Sequence, residues 1–176
     1  YSYNPTGAVS SVTDVYAKVT SMVYGRSDLP NLVTSVTRPA NGGTTRMSYD
    51  TAGNLTGIQD ALNQSSTLGY DAKGFLTSVT DRNGNTTLYE YGAPHKNLTL
   101  IKSPSELGGH RTVSMTYDSF DNVLSAVDAL GQDVIMTFDG NDRLLSVEDA
   151  RGSVTQFDFD PLKGLLDSVL FTPGAG

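Results

Sequence analysis

An aromatic residue recurs along this sequence every 21 residues, and that period is the strongest restriction on how the chain can fold. Tyr49, Tyr70 and Tyr91 follow one another at this spacing, and longer intervals of 25 and 26 residues interrupt the series. A fixed period of this length indicates stacked repeats, in which each unit packs mainly against its neighbours. The eight aromatic marks, as we name them, are Tyr3, Tyr24, Tyr49, Tyr70, Tyr91, Tyr117, Phe138 and Phe159.

Turn-forming residues hold a fixed position shortly after five of the marks, and Gly7 is the first of them. Gly53 and Gly74 stand four residues after their marks, and Asp121 and Asp142 hold that position in two later units. Asp tolerates the left-handed backbone region better than most residues other than Gly, so we expect one turn geometry at all of these sites. The Asp residues that directly follow a mark repeat with the fold and include Asp50, Asp71, Asp118 and Asp139.

A second turn is predicted in the later half of each unit. Asp stands eleven residues after the mark in five units, and Asp81 is one of them. The position fourteen residues after the mark holds Gly, with Asn63 there once and Ala17 as the exception. The Asp side chain of such a turn can bond nearby backbone N–H groups. The glycines of this second turn are Gly84, Gly131 and Gly152.

The segments between these turns alternate in hydrophobicity. Met47-Ser48-Tyr49 has large apolar residues at every second position, the period that places them on one face of a strand. A unit accommodates two strands of roughly six residues, and short turns join neighbouring strands antiparallel. The sequence therefore predicts an all-β fold without helices. Tandem hairpin repeats over residues 1–176 form one array with a continuous antiparallel meander or spiral sheet, apolar rows on one face and polar residues on the other.

The two long units carry extra residues that are expected to form loops. These loops are placed near residues 25–31, 40–45, 92–97 and 103–111. Loops carry function on repeat scaffolds, so any partner-specific feature is expected there. His95 and His110 lie near these loops and are interpreted as exposed loop residues, not as a catalytic or metal-binding pair.

The order Tyr-Asp-x-x-Gly-x-Leu followed by Asp-x-x-Gly-Asn resembles the YD repeat of the RHS family. The segment 70–85 shows it most clearly, from Tyr70-Asp71 and Gly74 to Asp81 and Gly84. The resemblance extends over nearly the whole chain. It implies a β-strip that winds into a hollow shell, as in bacterial RHS toxins, insecticidal toxin complexes and the animal teneurins. In the toxins that shell encloses a C-terminal toxic domain, which implies that this chain is wall and not cargo.

Composition restricts the remaining functions. The formal net charge of -7 offers no basic surface for nucleic acid and disfavours anionic lipid. Cysteine is absent, which excludes disulfides, thiolate metal sites and cysteine nucleophiles. The sequence opens within a repeat and has no apolar run of transmembrane length, so we expect a piece of a longer protein. We expect that protein to be bacterial and either secreted or at the cell surface.

Motifs that could carry chemistry are each better explained by the repeat. Asp81-x-Asn83-x-Asn85 matches the start of a calcium loop but lacks the rest of it. The self-cleavage segment of the bacterial toxins contains Asp-Pro-x-Gly, with one residue between Pro and Gly. Residues 160–164 have two residues there, so they do not match it. No catalytic, cofactor-binding or metal-binding residue is therefore predicted, and the chain is interpreted as a non-catalytic structural segment.

Three other functions remain open from the sequence. One is an extracellular fibre or adhesion module, in which exposed strand edges pair with further repeats or with identical copies. Another is carbohydrate binding by the rings of the marks, although aromatic residues at a strand period usually form core. The third is a hydrolase with paired carboxylates, which has little support because the acidic residues repeat with the fold.

Overall fold

The computed structural model of the protein describes residues 1–25, 30–39, 42–94, 96–105 and 109–174. His95 and parts of all four predicted loops lie outside these residues. The chain divides into two units, residues 1–87 and residues 88–176, and each is described by itself.

The first unit is an antiparallel meander, in which each strand is hydrogen-bonded to the strands that precede and follow it in the chain. Its strands are β1 (Ser2–Tyr3), β2 (Val9–Thr13), β3 (Val19–Tyr24), β4 (Val33–Thr37), β5 (Thr44–Tyr49), β6 (Leu55–Gln59), β7 (Ser65–Tyr70) and β8 (Leu76–Thr80). The next strand, β9 (Thr86–Tyr91), begins in the first unit and ends in the second.

The second unit repeats the same meander with one longer hairpin. After β9 its strands are β10 (Leu98–Pro104), β11 (His110–Tyr117), β12 (Val123–Val127), β13 (Asp133–Phe138), β14 (Leu144–Glu148), β15 (Val154–Phe159) and β16 (Leu166–Thr172). The prediction of an all-β fold of paired antiparallel strands is confirmed. Within the described ranges, no helix has the length and apolar character needed to cross a bilayer.

A β-bulge accompanies every mark. In the β5–β6 hairpin Ser48 pairs with Gly57 but Tyr49 pairs with Leu55, so one extra residue of β6 is left between them. The register shifts in the same way beside the other marks, and the bulge lies next to the turn each time. Such an insertion bends the strand and re-aims the side chains on either side of it. The bulge therefore lets a mark and an aliphatic residue face each other at the end of each hairpin.

The strands separate apolar and polar side chains onto two faces, as predicted. On the face that we call the apolar face, Tyr49 pairs with Leu55 and Met47 pairs with Ile58. Eight hairpins pair a mark with an aliphatic residue, namely Tyr3–Val9, Tyr24–Val33, Tyr49–Leu55, Tyr70–Leu76, Tyr91–Leu98, Tyr117–Val123, Phe138–Leu144 and Phe159–Leu166. All four methionines, Met22, Met47, Met115 and Met136, stand two residues before a mark in the second apolar row.

The opposite face, which we call the hydroxyl face, is lined by Ser and Thr. Hydroxyl groups on neighbouring strands bond each other at 2.6–2.9 Å, for example in the pairs Ser2–Ser11, Thr37–Thr44, Thr80–Thr86, Thr116–Ser125 and Thr137–Ser146. Gly57 and Gly69 also lie on this face, and a Cβ atom at either would come within 2.6 Å of a serine hydroxyl on the next strand. Cross-strand hydroxyl pairs of this kind stabilise a sheet modestly and keep the face polar.

No side chain in the described part of the chain is fully buried. Rings such as Tyr49 and aliphatic partners such as Leu55 are only half-buried. The apolar rows of each unit therefore gain their protection mainly from neighbouring strands.

Candidate functional site

The turn after a mark is held by an aspartate side chain. Asp50 Oδ1 accepts hydrogen bonds from the backbone N–H groups of Ala52 and Asn54, both at 2.9 Å. The N–H of Asp50 donates to the carbonyl of Asn54 at 3.0 Å, and its carbonyl accepts from Gly53 at 3.2 Å. The carboxylate thus bonds amides that a tight turn leaves without strand partners, which is the reason for Asp at this position.

The second turn of each unit has the same geometry as the first. Asp81 Oδ1 accepts from the N–H groups of Asn83 at 2.8 Å and Asn85 at 2.9 Å. Each of the five regular units, which begin at Tyr3, Tyr49, Tyr70, Tyr117 and Phe138, therefore holds two copies of one turn. Asn4 Oδ1 makes the equivalent bonds in the first turn of the chain. In the described part of the chain the aspartates that bond in this way are Asp14, Asp50, Asp60, Asp71, Asp81, Asp118, Asp128, Asp139, Asp149 and Asp160.

These hydrogen bonds stabilise the ionised carboxylates. The side-chain amide of Asn54, together with backbone N–H groups, lowers the pKa of Asp50 below its ordinary value. The side chain of Asn85 does the same to the pKa of Asp81. The pKa values of Asp118, Asp139 and Asp149 are also lowered. At Asp118 desolvation raises the pKa, but hydrogen bonds to the carboxylate outweigh it. The largest cause is the side-chain hydrogen bond from Arg143 at Asp139 and the backbone N–H of Ser153 at Asp149.

The fourth residue of each turn adopts a left-handed backbone. The predicted glycines have φ between 74° and 90° at Gly53, Gly74, Gly84, Gly131 and Gly152. Four other residues take the same conformation in this position: Asn63, Asp121, Asp142 and Ala17. Ala17 has φ of 60° although it lacks a side chain that could bond the backbone. The turn geometry is therefore imposed by the surrounding strands even where the residue disfavours it.

Tyrosine marks bond across to the preceding repeat. The hydroxyl of Tyr49 donates to the carbonyl of Val33 at 2.8 Å, that of Tyr24 to Val9 at 3.0 Å, and that of Tyr117 to Leu98 at 2.7 Å. In each case the acceptor lies at or next to the start of the strand that follows the previous mark. The ring thus spans two strands and fixes one repeat to the next through a backbone group.

An arginine provides a different connection where the mark is phenylalanine. The guanidinium group of Arg143 lies 4.7 Å from the centroid of the Phe159 ring, in a cation–π contact. The same group donates to Asp139 Oδ2 from Nε at 2.7 Å and from Nη2 at 2.6 Å. Arg143 therefore links the turn after Phe138 to the next mark without a hydroxyl group.

Side chains also connect successive turns along the edge of the sheet. The Nδ2 group of Asn122 donates to Asp142 Oδ1 in the next turn at 2.9 Å. In the same way Asn97 Nδ2 donates to Asp121 Oδ1 at 2.8 Å. Asp121 and Asp142 occupy the position that holds Gly in other units, so Asp accepts a bond there that Gly cannot. The sequence analysis explained Asp121 and Asp142 only by their tolerance of a left-handed backbone. Asn recurs directly after this turn position, as at Asn54 and Asn122, and that pattern could have indicated a bond between turns.

The predicted repeat residues fall into two places in the structure. The marks Tyr49, Tyr70, Tyr91, Tyr117, Phe138 and Phe159 end their strands beside a bulge on the apolar face. The residues Asp50, Gly53, Asp71, Gly74, Asp81, Gly84, Asp118, Gly131, Asp139 and Gly152 lie in the turns. The sequence analysis did not find the bulge, the tyrosine hydroxyl bonds or the role of Arg143. It also did not identify the two turns of a unit as equivalent, although the recurrent spacing of ten residues between their aspartates could have shown it.

The three motifs considered for chemistry have ordinary surroundings. Asp81, Asn83 and Asn85 form one of the repeated turns, in which Asn85 Nδ2 also donates to Asp81 Oδ2 at 3.1 Å. Asp160 holds a turn that is one residue longer, with its N–H donating to the carbonyl of Leu165 at 2.8 Å. His110 is exposed at the start of β11. No group of three or more metal-binding side chains lies among the described residues.

Comparison with known protein families gives one match. The family model described as Teneurin YD-shell matches residues 1–99, which is more than half of the chain. No curated protein sequence matches the chain.

Solved structures resemble the chain over nearly its whole length. The crystal structure of TcdB2-TccC3 aligns with a TM-score of 0.74 and 16% identity, covering 98% of this chain and 11% of that one. TcdB2-TccC3 without its hypervariable C-terminal region gives a TM-score of 0.75 and 17% identity, with 99% and 11% covered. The Photorhabdus luminescens Tc holotoxin pore aligns with a TM-score of 0.68 and 17% identity, covering 89% of this chain and 9% of that one. These similarities show the fold, and the chain spans about a tenth of the length of those structures.

Proposed function

Because the chain belongs to the teneurin YD-shell family, we propose that it is a non-catalytic wall segment of a shell that encloses a cargo or toxin domain. The array of about eight repeats over residues 1–176 is the unit of that wall. Two findings support the proposal: the family is a structural shell repeat, and the fold is that of TcdB2-TccC3 over 98% of this chain. The residues of the marks and turns have structural roles in it.

The observation that carries this proposal is the bonding of one repeat to the next. The hydroxyls of Tyr24, Tyr49 and Tyr117 each donate to a backbone carbonyl of the preceding repeat. Backbone ladders join the same strands, and turn side chains such as Asn122 and Asp142 bond along the edge. Backbone ladders at every step, tyrosine hydroxyl bonds at three steps and turn side-chain bonds at two favour a stiff sheet, which is what a barrier around a cargo requires.

Partners follow from the incomplete burial of the sheet. The apolar rows are half-buried and no described side chain is enclosed, so contact with other material would bury additional apolar area. We assign this contact to further repeats of the same protein and to the enclosed domain. We place the protein outside the cytoplasm, secreted or at the cell surface, in line with the toxin complexes whose fold it shares.

Electron microscopy of the full-length protein tests the wall role. We expect closed hollow particles, inside which a C-terminal domain resists added protease while the intact particle persists. Filaments, or a C-terminal domain that is digested as fast as it is in an unfolded control, would contradict the proposal. Neither outcome depends on the identity of the cargo.

An extracellular fibre or adhesion module is the second candidate. The strand β16 favours contact with another sheet, because all of its residues from Leu166 to Thr172 are exposed and such contact would bury its apolar side chains. The microscopy above separates the two candidates, because a fibre gives filaments. Carbohydrate binding has less support, since the hydroxyls of Tyr24, Tyr49 and Tyr117 already bond backbone carbonyls.

A further inference from the structure

The hairpin β10–β11 departs from the others in length. Its strands have seven and eight residues, whereas β12 has five and β13 has six. Residues His110–Val113 of β11 pair with β10, but the pairing of β11 with β12 begins only at Ser114. The end of this hairpin therefore extends past β12 and borders the turn that Asp128 holds.

The repeat pattern also breaks at the foot of this hairpin. The position four residues before the mark holds Thr or Ser in the other units but Val113 and Val134 here. The aliphatic partner of the second apolar row is Val or Ile in the other hairpins, and it is the smaller Ala126 here. Residues that repeat serve the fold, so a local set of exceptions indicates a separate use.

Two adjoining clefts lie beside these exceptions in the second unit, and Ala126 and Val134 line only the smaller of them. The larger has a volume of about 580 Å³ and is lined by Arg111, Val113, Ala129 and Leu130 among others. The smaller has a volume of about 280 Å³, and Val113 and Asp128 line both. Leu130 is 82% exposed and Val113 is 37% exposed. The larger volume lies in the range of known ligand sites.

Charge in these clefts is divided between their ends. Arg111 lines only the larger cleft, and it forms no ion pair with any described residue. Asp133 lines only the smaller cleft. Asp128 borders both, but its Oδ1 accepts from the N–H groups of Leu130 and Gln132 at 2.8 and 2.9 Å and so belongs to the turn. A ligand anion is therefore favoured at the Arg111 end alone.

We propose that this cleft binds a peptide segment in which an apolar side chain stands beside a carboxylate. The guanidinium group of Arg111 binds the carboxylate, in the bidentate manner that favours arginine at such sites. The apolar side chain lies against Val113, Ala129 and Leu130. The carboxylate belongs either to a chain terminus or to an Asp or Glu side chain, which have the same chemistry. This site does not depend on whether the sheet is part of a shell.

Titration of short peptides followed by ¹⁵N-resolved NMR of the protein tests this site. The probes are N-acetyl-alanyl-leucine, the same peptide with a C-terminal amide, and N-acetyl-aspartyl-leucine amide. We expect at least one carboxylate probe to shift the amide signals of Val113 and Leu130, with an affinity about tenfold above that of the uncharged amide. The probe that binds identifies the source of the carboxylate.

Matched variants separate binding from folding. Arg111→Gln should abolish the preference for the carboxylate probe, while Arg111→Lys should retain part of it. Leu130→Ser should weaken binding of that probe about fivefold through lost apolar contact, whereas Leu62→Ser, in the equivalent exposed turn position of the first unit, should not change it. No saturable shift up to about 10 mM probe, equal binding of acid and amide, or an unaltered Arg111→Gln variant would each overturn the proposal.

Discussion

Ala17 shows at the scale of one residue how the repeat imposes its backbone. Its φ is 60°, in the position where other units have Gly, Asn or Asp. A left-handed conformation costs an L-residue roughly 1–2 kcal/mol relative to glycine. Glycine would recover only part of this energy, because its unfolded chain has more conformational entropy to lose. The residue is therefore a local weakness that the rest of the hairpin tolerates.

Ala17→Gly should raise the free energy of unfolding by about 1 kcal/mol, since relief of the left-handed alanine exceeds the entropy that glycine adds. Urea denaturation followed by circular dichroism measures the change. Ala52→Gly is the matched control, because Ala52 is outside the left-handed positions, and it should lower stability by roughly 0.5 kcal/mol. A destabilised Ala17→Gly protein would show that this turn is not strained.

Tyr117→Phe should lower the free energy of unfolding by about 1 kcal/mol, because the carbonyl of Leu98 loses its hydroxyl donor. The ring and its packing remain, so the variant reports on the hydroxyl group, whose other contact is a weak one to Met115 Sδ at 3.8 Å. Chemical denaturation gives the value. Tyr16→Phe serves as the control, since Tyr16 is 80% exposed at a turn, and equal effects of the two substitutions would argue against a connection between repeats at Tyr117.

The turn is the element in which charge and fold are coupled. The pKa values of Asp50, Asp81, Asp118, Asp139 and Asp149 are lowered in the folded protein, chiefly by hydrogen bonds to the ionised carboxylates. A group with a lowered folded pKa contributes stability above its unfolded pKa, and that stability disappears as the pH falls through the folded value. The array should therefore be stable near neutral pH and lose stability progressively below the ordinary aspartate pKa of 3.8.

Asp81→Asn should reduce this loss of stability in acid. Asn4 already holds one turn with a neutral side chain, so the amide can replace Oδ1 as the acceptor. We expect a smaller difference between the free energies of unfolding at pH 7 and pH 3 than in the unaltered protein. Asp167→Asn, on exposed β16 and outside any turn, should leave the difference nearly unchanged, and similar effects at both sites would contradict a role for the turn carboxylates.

Sequence and structure agree at the level of elements for a physical reason. The 21-residue period, the alternation in Met47-Ser48-Tyr49 and the Asp and Gly turn positions are local signals, and local signals suffice to place strands and turns. The bulge beside Tyr49 and the bond from Asn122 to Asp142 depend on which residues meet across strands. That register is fixed by packing of the assembled sheet, so it could not be determined from one sequence.

For the molecule as a whole, the repeat length sets which deletions are tolerated. Removal of residues 50–70 joins Tyr49 to Asp71 and deletes two strands, so every later strand keeps its direction and its face. We expect this protein to fold with the same β signal per residue in circular dichroism and with a lower melting temperature, as repeat arrays do when shortened.

Removal of residues 50–59 is the matched test of that reasoning. It joins Tyr49 to Asp60, deletes one strand and reverses the direction of every strand that follows. Marks that should pair with aliphatic residues would then meet different neighbours. We expect aggregation or loss of the cooperative melting transition, and a well-folded product would show that the 21-residue unit is not the structural repeat.

The half-buried state of the apolar rows bears on how such sequences diverge. A side chain that is enclosed on all sides can be replaced only if its neighbours change as well. A side chain that is covered on one side can be replaced by a larger or a smaller one. We therefore expect substitutions to be restricted mainly at the turn aspartates and glycines that determine the backbone path. One architecture is therefore compatible with very different sequences, as the 16–17% identity at TM-scores of 0.74–0.75 illustrates.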